Sequence, residues 1–179
     1  MILKREDLPY YTVEDYKSWE GDWELIEGIP YAMAPSPLGI HQKIISNLIY
    51  EFRKELENCP DRCFVYAELD WVISEDTVLR PDLSLVCKEI KEYIKETPFL
   101  VVEVVSKSTA KKDEILKFKI YEREKAPYYI LVYPEIQKVR VFKLEGNTYE
   151  KYFDADSGFL SIPINDSCSI NISVEKIFQ

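Results

Sequence analysis

"RPDLSLV", residues 80–86, and "FLVVEVV", residues 99–105, decide how this chain is read. Both have the apolar character of a core strand, and each carries one carboxylate: Asp82 directly after a proline, Glu103 in the middle of valines. A buried carboxylate without a partner is costly. A salt bridge, a hydrogen-bond network or a metal ion must offset that cost. Adjacent strands run about 4.8 Å apart, so two such carboxylates can converge on one side of a sheet. Paired carboxylates with open positions suit Mg²⁺ or Mn²⁺, which prefer hard oxygen ligands and keep waters. The backbone carbonyl of Val104 runs past the same point and is a candidate third ligand.

Working outward, "CFVYAELDWVI" (63–73) and "VLRPDLSLV" (78–86) read as two strands joined by a polar turn, with Pro81 near a strand end or edge. Upstream, "LGIHQKIISNLIYEFRKELEN" (38–58) is the strongest helix. Its Ile44, Ile45, Leu48, Ile49, Phe52 and Leu56 form one apolar stripe. "TVEDYKSW" (12–19) opens as a short helix, with Thr12 and Asp15 resembling a capping box. "WELIEGIPYAMAP" (23–35) reads as a hairpin turning at Glu27-Gly28. Downstream, "STAKKDEILKFKIYEREKA" (108–126) is a second long helix, with acids early and bases late as the helix dipole prefers. "YYILVY" (128–133) is a short apolar strand. "KVRVFKL", "NTYEKYF" and "FLSIPI" read as antiparallel strands, and "ISVEKIF" as a closing helical turn. The order predicts one α/β domain over residues 1–179: a mixed central sheet flanked by helices, with added antiparallel hairpins.

Composition narrows the classes. Aromatic residues at 13% and hydrophobic residues at 46% describe a folded domain, not a disordered chain. The first residues show no signal-peptide pattern and no run reaches the length of a membrane span, so a cytoplasmic location is expected. A net charge of −9 argues against bulk nucleic-acid binding through a basic surface, though not against a local basic patch. The single histidine, His41, removes HExxH chemistry, and GxSxG, GxxxxGK[ST] and GxGxxG are all absent. Of the cysteines at 59, 63, 87 and 168 only the first two are close. Zinc lacks further nearby ligands, and free buried thiols are the expected state in a reducing compartment. The Lys/Glu/Ile-rich composition hints at a thermophile, where a disulfide becomes less surprising.

On the second long helix, Asp113 and Lys117 stand at i, i+4 with Tyr121 continuing the line. A lysine reaching from there to Glu103 could orient an attacking water or stabilise charge on a phosphate. Plainer explanations exist for each residue. Asp82 suits a strand start, and Asp113–Lys117 a helix ion pair. Lys117 or Arg80 could neutralise Glu103. Lys107, Lys111, Lys112, Lys119, Arg123 and Lys125 could form a solvated basic face.

The ordered set "RPD" (80–82), "VVEVVS" (101–106), Asp113, Lys117, Tyr121 and "YYILVYP" (128–134), with "WELIEG" (23–28), His41 and the "ISVEKIF" ending, resembles the bacterial Uma-two family of the PD-(D/E)XK restriction-endonuclease-like superfamily. The resemblance covers nearly the whole chain. It implies a metal-dependent endonuclease acting on nucleic acid, DNA first, with Asp82 and Glu103 as metal-binding carboxylates and catalytic groups. The superfamily lysine normally stands two residues after the Glu, where this chain has Val105. The resemblance therefore points to Lys117 as its replacement. It also implies a catalytic or lysine-holding role for Glu24, and places His41, Ser106, Lys107 and Lys111 on the substrate side. By analogy a homodimer is expected, since cutting two strands needs two sites. The alternative is a silent nuclease fold that binds nucleic acid or protein.

Overall fold

The computed structural model describes residues 4–33, 38–60 and 62–179. Among these, the N-terminal part holds α1 (Val13–Tyr16), β1 (Trp23–Ile26), β2 (Ile29–Ala32) and α2 (Gly39–Leu56). Then come β3 (Phe64–Ala67), β4 (Trp71–Ser74), β5 (Thr77–Leu79), β6 (Leu83–Val86) and β7 (Leu100–Val104). A π-helical turn, Lys112–Lys117, runs into α3 (Phe118–Arg123). β8 (Tyr128–Tyr133), β9 (Lys138–Glu145), β10 (Thr148–Ala155), β11 (Phe159–Asn165), β12 (Cys168–Ser173) and α4 (Val174–Phe178) complete the chain.

The central sheet has the order β10-β9-β8-β7-β6-β3. Its β7–β8 pair is parallel and its other pairs are antiparallel, as a mixed sheet was expected to be. Parallel neighbours need a crossover, and here the helical segment between β7 and β8 supplies it. That crossover lies against the sheet face to which Val101, Leu131 and Tyr129 contribute. The other face carries Leu100, Val102, Val104, Ile130 and Val132, covered by the α2 stripe, the β11–β12 hairpin and α4. Every residue of β7 is buried, because both faces of this strand are covered.

A second sheet, ordered β2-β1-β5-β4, packs on the crossover side. The β1–β2 hairpin turns where expected: Glu27 and Gly28 both have positive φ, at 49° and 80°, as a tight two-residue hairpin turn requires. The reading of that hairpin reached to residue 35, and residues 34–35 lie outside the described ones. The capping box of α1 is present, with Asp15 accepting from the Thr12 backbone at 2.8 Å.

Four expectations are corrected, and one strand is added. The span 63–73 is two strands, not one, broken at Glu68, whose φ is 50°. The span 78–86 is likewise broken at Arg80-Pro81-Asp82, where proline has no N–H for a ladder. The first half of each span joins one sheet and the second half the other: β3 and β6 pair in the central sheet, β4 and β5 in the second. The helix expected over 108–126 is interrupted by a π-turn at Lys112–Lys117 and continues as α-helix over Phe118–Arg123. β12, with its alternating "CSINIS" burial, was not foreseen. Finally, all four cysteines are paired, Cys59–Cys168 and Cys63–Cys87, not free. The second pair lies across the β3–β6 ladder, one step beyond Phe64 and Val86.

Candidate active site

The break at Pro81 sets the site. Leu83 pairs with Val102, so one step further Asp82 stands opposite Glu103 on the crossover side of the sheet. The Val104 N–H donates to Asp82 Oδ2 at 2.6 Å, which fastens the two strands at this point. His41, in the first turn of α2, brings its Nε2 to 3.2 Å from the same oxygen. Its Nδ1 is buried without a hydrogen-bond partner.

Glu103 is almost wholly buried. Its Oε1 accepts from Lys117 Nζ at 2.8 Å and from Tyr121 Oη at 2.6 Å. Lys117 also reaches Glu24 Oε1 at 2.7 Å, and Lys112 reaches Glu24 Oε2 at 2.7 Å. The Arg80 backbone N–H completes the shell of Glu24 at 2.9 Å. Glu24 is therefore fully buried and saturated, at the meeting point of both sheets and the crossover helix. The π-turn matters here. Such turns are frequent at functional sites because they break the regular helical side-chain spacing. Asp113 and Lys117 are both buried within it. The Asp113–Lys117 ion pair, the plainer alternative for these two residues, is not closed: Lys117 turns to the two glutamates, and the Asp113 carboxyl accepts from Thr109.

The electrostatics are lopsided. Glu24, Asp82, Glu103 and Asp113 face the ammonium groups of Lys112 and Lys117. Burial pushes the Glu103 carboxyl well up; Lys117 opposes this, while Asp82, Asp113 and Glu24 add to it. Asp113 is also raised, first by burial and opposed by Lys117. Glu24 goes the other way. Burial alone would raise it, but the charges and hydrogen bonds of Lys117 and Lys112 outweigh burial and hold it below the usual carboxylate range. Lys117 loses to desolvation but gains more from Glu103, Glu24 and Asp113, so it stays protonated. His41 is disfavoured as a cation by burial, yet the hydrogen bond and charge of Asp82 raise it overall.

Among the described residues no group of three or more His, Cys, Asp or Glu side chains is gathered as a metal cage. Mg²⁺ does not require one. It is usually held by one or two carboxylates plus waters and substrate phosphates. Asp82 and Glu103, with an unbalanced negative surrounding, fit that kind of site.

Several sequence-derived candidates thus meet: Glu24, His41, Asp82, Glu103 and Lys117 form one cluster. Others do not join it. Ser106 is exposed and bonds to Ser108 and Thr109. Lys107 is exposed and pairs with Glu135 at 3.3 Å. Lys111 is exposed at the start of the helix. Its neighbour Lys112, read as part of a solvated face, is the lysine that turns inward. Only the Glu24 contact distinguishes the two, and no local pattern announced it. Arg80 does not neutralise Glu103; its guanidinium pairs with Asp70 and Asp22, each at 2.7 Å.

This architecture is a restriction-endonuclease-like fold. A family model described as "Putative restriction endonuclease", Uma2, matches residues 13–164, and the chain belongs to that family. A solved structure, described as a putative nuclease belonging to DUF820 from Anabaena variabilis, superposes with a TM-score of 0.75. It is 18% identical and the match covers 94% of this chain and 97% of that one. No curated protein matches the chain.

Proposed function

We propose that the chain is a divalent-metal-dependent endonuclease that hydrolyses phosphodiester bonds of nucleic acid, DNA first. The observation that supports it is Lys117. This chain has valine two residues after Glu103, yet an ammonium group from the crossover helix sits 2.8 Å from Glu103, which in turn stands opposite Asp82. Two carboxylates and a lysine are the minimal set for the PD-(D/E)XK type of chemistry.

In this reading Asp82 and Glu103 hold Mg²⁺ or Mn²⁺, with the Val104 carbonyl as a further oxygen. The ion, when bound, supplies Lewis acidity at the phosphate and lowers the pKa of water. Lys117 orients the attacking water or stabilises charge developing on the phosphate. Glu24 and Tyr121 hold Lys117 and Glu103 in place. His41 and the exposed Ser106, Lys107 and Lys111 stand on the substrate side, the lysines toward phosphates. The protein works as a cytoplasmic homodimer, one site per strand.

A second reading has one observation in its favour: Lys117 is closed between Glu24 and Glu103, as a purely structural ion-pair network would be. Such a chain would be a silent nuclease fold. Calorimetry with Mn²⁺ on the wild type and on Asp82→Ala/Glu103→Ala, beside a plasmid-nicking assay, separates the two. Binding and nicking that both vanish in the variant are expected. Nicking that persists at wild-type rate in the variant, or no Mn²⁺ binding and no nicking by the wild type, would sink the nuclease reading.

A further inference from the structure

Between α1, β1 and β4 lies a cavity of about 150 Å³ that the proposed chemistry leaves unused. Its walls include Tyr16, Trp19, Trp23 and Tyr93, and its polar floor is Asp70 and Arg80. Trp19 meets Tyr16 and Trp23 edge to face, with centroids 5.6 Å and 5.8 Å away. Tyr93 lines the cavity and is 43% exposed. The floor is internally satisfied. Asp70 accepts from Arg80 Nε at 2.7 Å and from Tyr16 Oη at 2.9 Å, and Arg80 Nη1 donates to Asp22 at 2.7 Å.

These features select a guest. The volume is below the roughly 300–1,000 Å³ of a drug-sized ligand site, so it suits one planar ring system. The aromatic walls suit a π-face. A cationic guest is disfavoured, because Arg80 and Lys17 both line the cavity and both oxygens of Asp70 are already engaged. An anionic guest would find the Arg80 charge already matched by Asp70 and Asp22, and the Lys17 charge by Glu14. A neutral planar ring system is left.

The position selects its source. Arg80 is shared between cavity and site: its side chain lines the cavity and pairs with Asp70, its backbone N–H holds Glu24, and its Cα lies at most about 7 Å of extended chain from that of Asp82. We infer that this aromatic cavity takes one unstacked nucleobase of a strand whose backbone passes the Asp82–Glu103 pair. The inference rests on the nuclease reading for its nucleic-acid partner, and deepens it: a stacked duplex base cannot enter such a cavity, so the bound strand is single or has a base extruded.

The test uses the full chain, a short fluorescent single-stranded DNA of mixed sequence and its duplex, with anisotropy read in EDTA and again in Ca²⁺. Tyr93→Ala is the informative variant, since an exposed lining residue can be removed without unfolding the protein. Tyr93→Phe retains the ring. The expected result is a roughly tenfold weaker single-strand affinity for Tyr93→Ala. Tyr93→Phe should bind as the wild type does, the duplex should bind more weakly than the single strand, and thermal midpoints should be unchanged. Equal single-strand affinity for wild type and Tyr93→Ala overturns the inference, as does a wild type that binds no strand in either buffer. Competition by a free nucleoside monophosphate as strong as by the strand overturns the assignment to a strand. Plasmid nicking in Mn²⁺ keeps the two ideas apart. Nicking with unaltered strand binding by Tyr93→Ala sinks the cavity alone. Ring-dependent strand binding without nicking sinks the nuclease alone.

Discussion

Glu24 and Glu103 share Lys117 but respond oppositely to pH. The Glu24 carboxyl is held below its ordinary value by Lys117 and Lys112. Its charge therefore stabilises the fold above the unfolded carboxylate pKa, and that stability is lost as pH falls through the lower folded value. Glu103 is raised, so its ionisation costs stability as pH rises through the raised value, and the cost is absent in acid. Glu24→Gln should accordingly destabilise at neutral pH, by about 3–5 kcal/mol for a broken buried pair, with the deficit shrinking only as pH falls below about 4. Glu103→Gln should leave the metal-free protein as stable as wild type at neutral pH, or more so. Urea midpoints at the two pH values check both. Equal losses for the two variants at neutral pH would mean an ordinary ion-pair network.

Lys117→Met separates chemistry from stability at the same scale. It should abolish nicking and also destabilise at neutral pH, because it strands two buried carboxylates beside each other. Acidification should recover much of the stability and none of the activity. A variant that still nicks plasmid would remove Lys117 from the reaction.

At the scale of elements, the β1–β2 hairpin carries Glu24 to the site, and its turn has a strict requirement. Gly28 has φ 80°, and a Cβ there would come within 2.2 Å of the Tyr10 ring. Tyr10 is itself tied to Asp76 at 2.9 Å. Gly28→Ala should cost roughly 1–3 kcal/mol, for left-handed backbone and for displacement of the ring. A chemical-denaturation midpoint unchanged from wild type would contradict this. Much of the element level was readable beforehand. The α2 stripe, the Thr12 capping box and the Glu27-Gly28 turn depend on neighbours a few residues apart, and local patterns report local geometry. Pro81 announced a strand end within "VLRPDLSLV". The break of "CFVYAELDWVI" at Glu68, the sharing of each span between two sheets and the π-turn were not readable, because they depend on long-range pairing.

Across the whole molecule, the two disulfides close loops of very different span. Cys59 and Cys168 are 109 residues apart and join the end of α2 to β12, whereas Cys63 and Cys87 are 24 apart. Loop-closure entropy assigns each roughly 3–5 kcal/mol, the longer loop more. Full reduction should lower the thermal midpoint, and Cys168→Ser should lower it more than Cys87→Ser. Midpoints that ignore reductant would show that the thiols are not paired in solution.

The sequence by itself determined the α/β class, the long amphipathic helix and the two carboxylate-bearing strands, and it singled out Asp82, Glu103 and Lys117 as candidates, to which the family resemblance added Glu24 and His41. Periodicity and an ordered motif are written in the chain, and a charge inside an apolar run is visible without coordinates. Only the tertiary structure decided that Asp82 faces Glu103 and that Lys112, not Lys111, turns inward. It alone showed that Arg80 serves a separate aromatic cavity and that distant cysteines meet. Each depends on strand register or on the packing of segments tens of residues apart, and those long-range contacts leave no periodic trace in the chain.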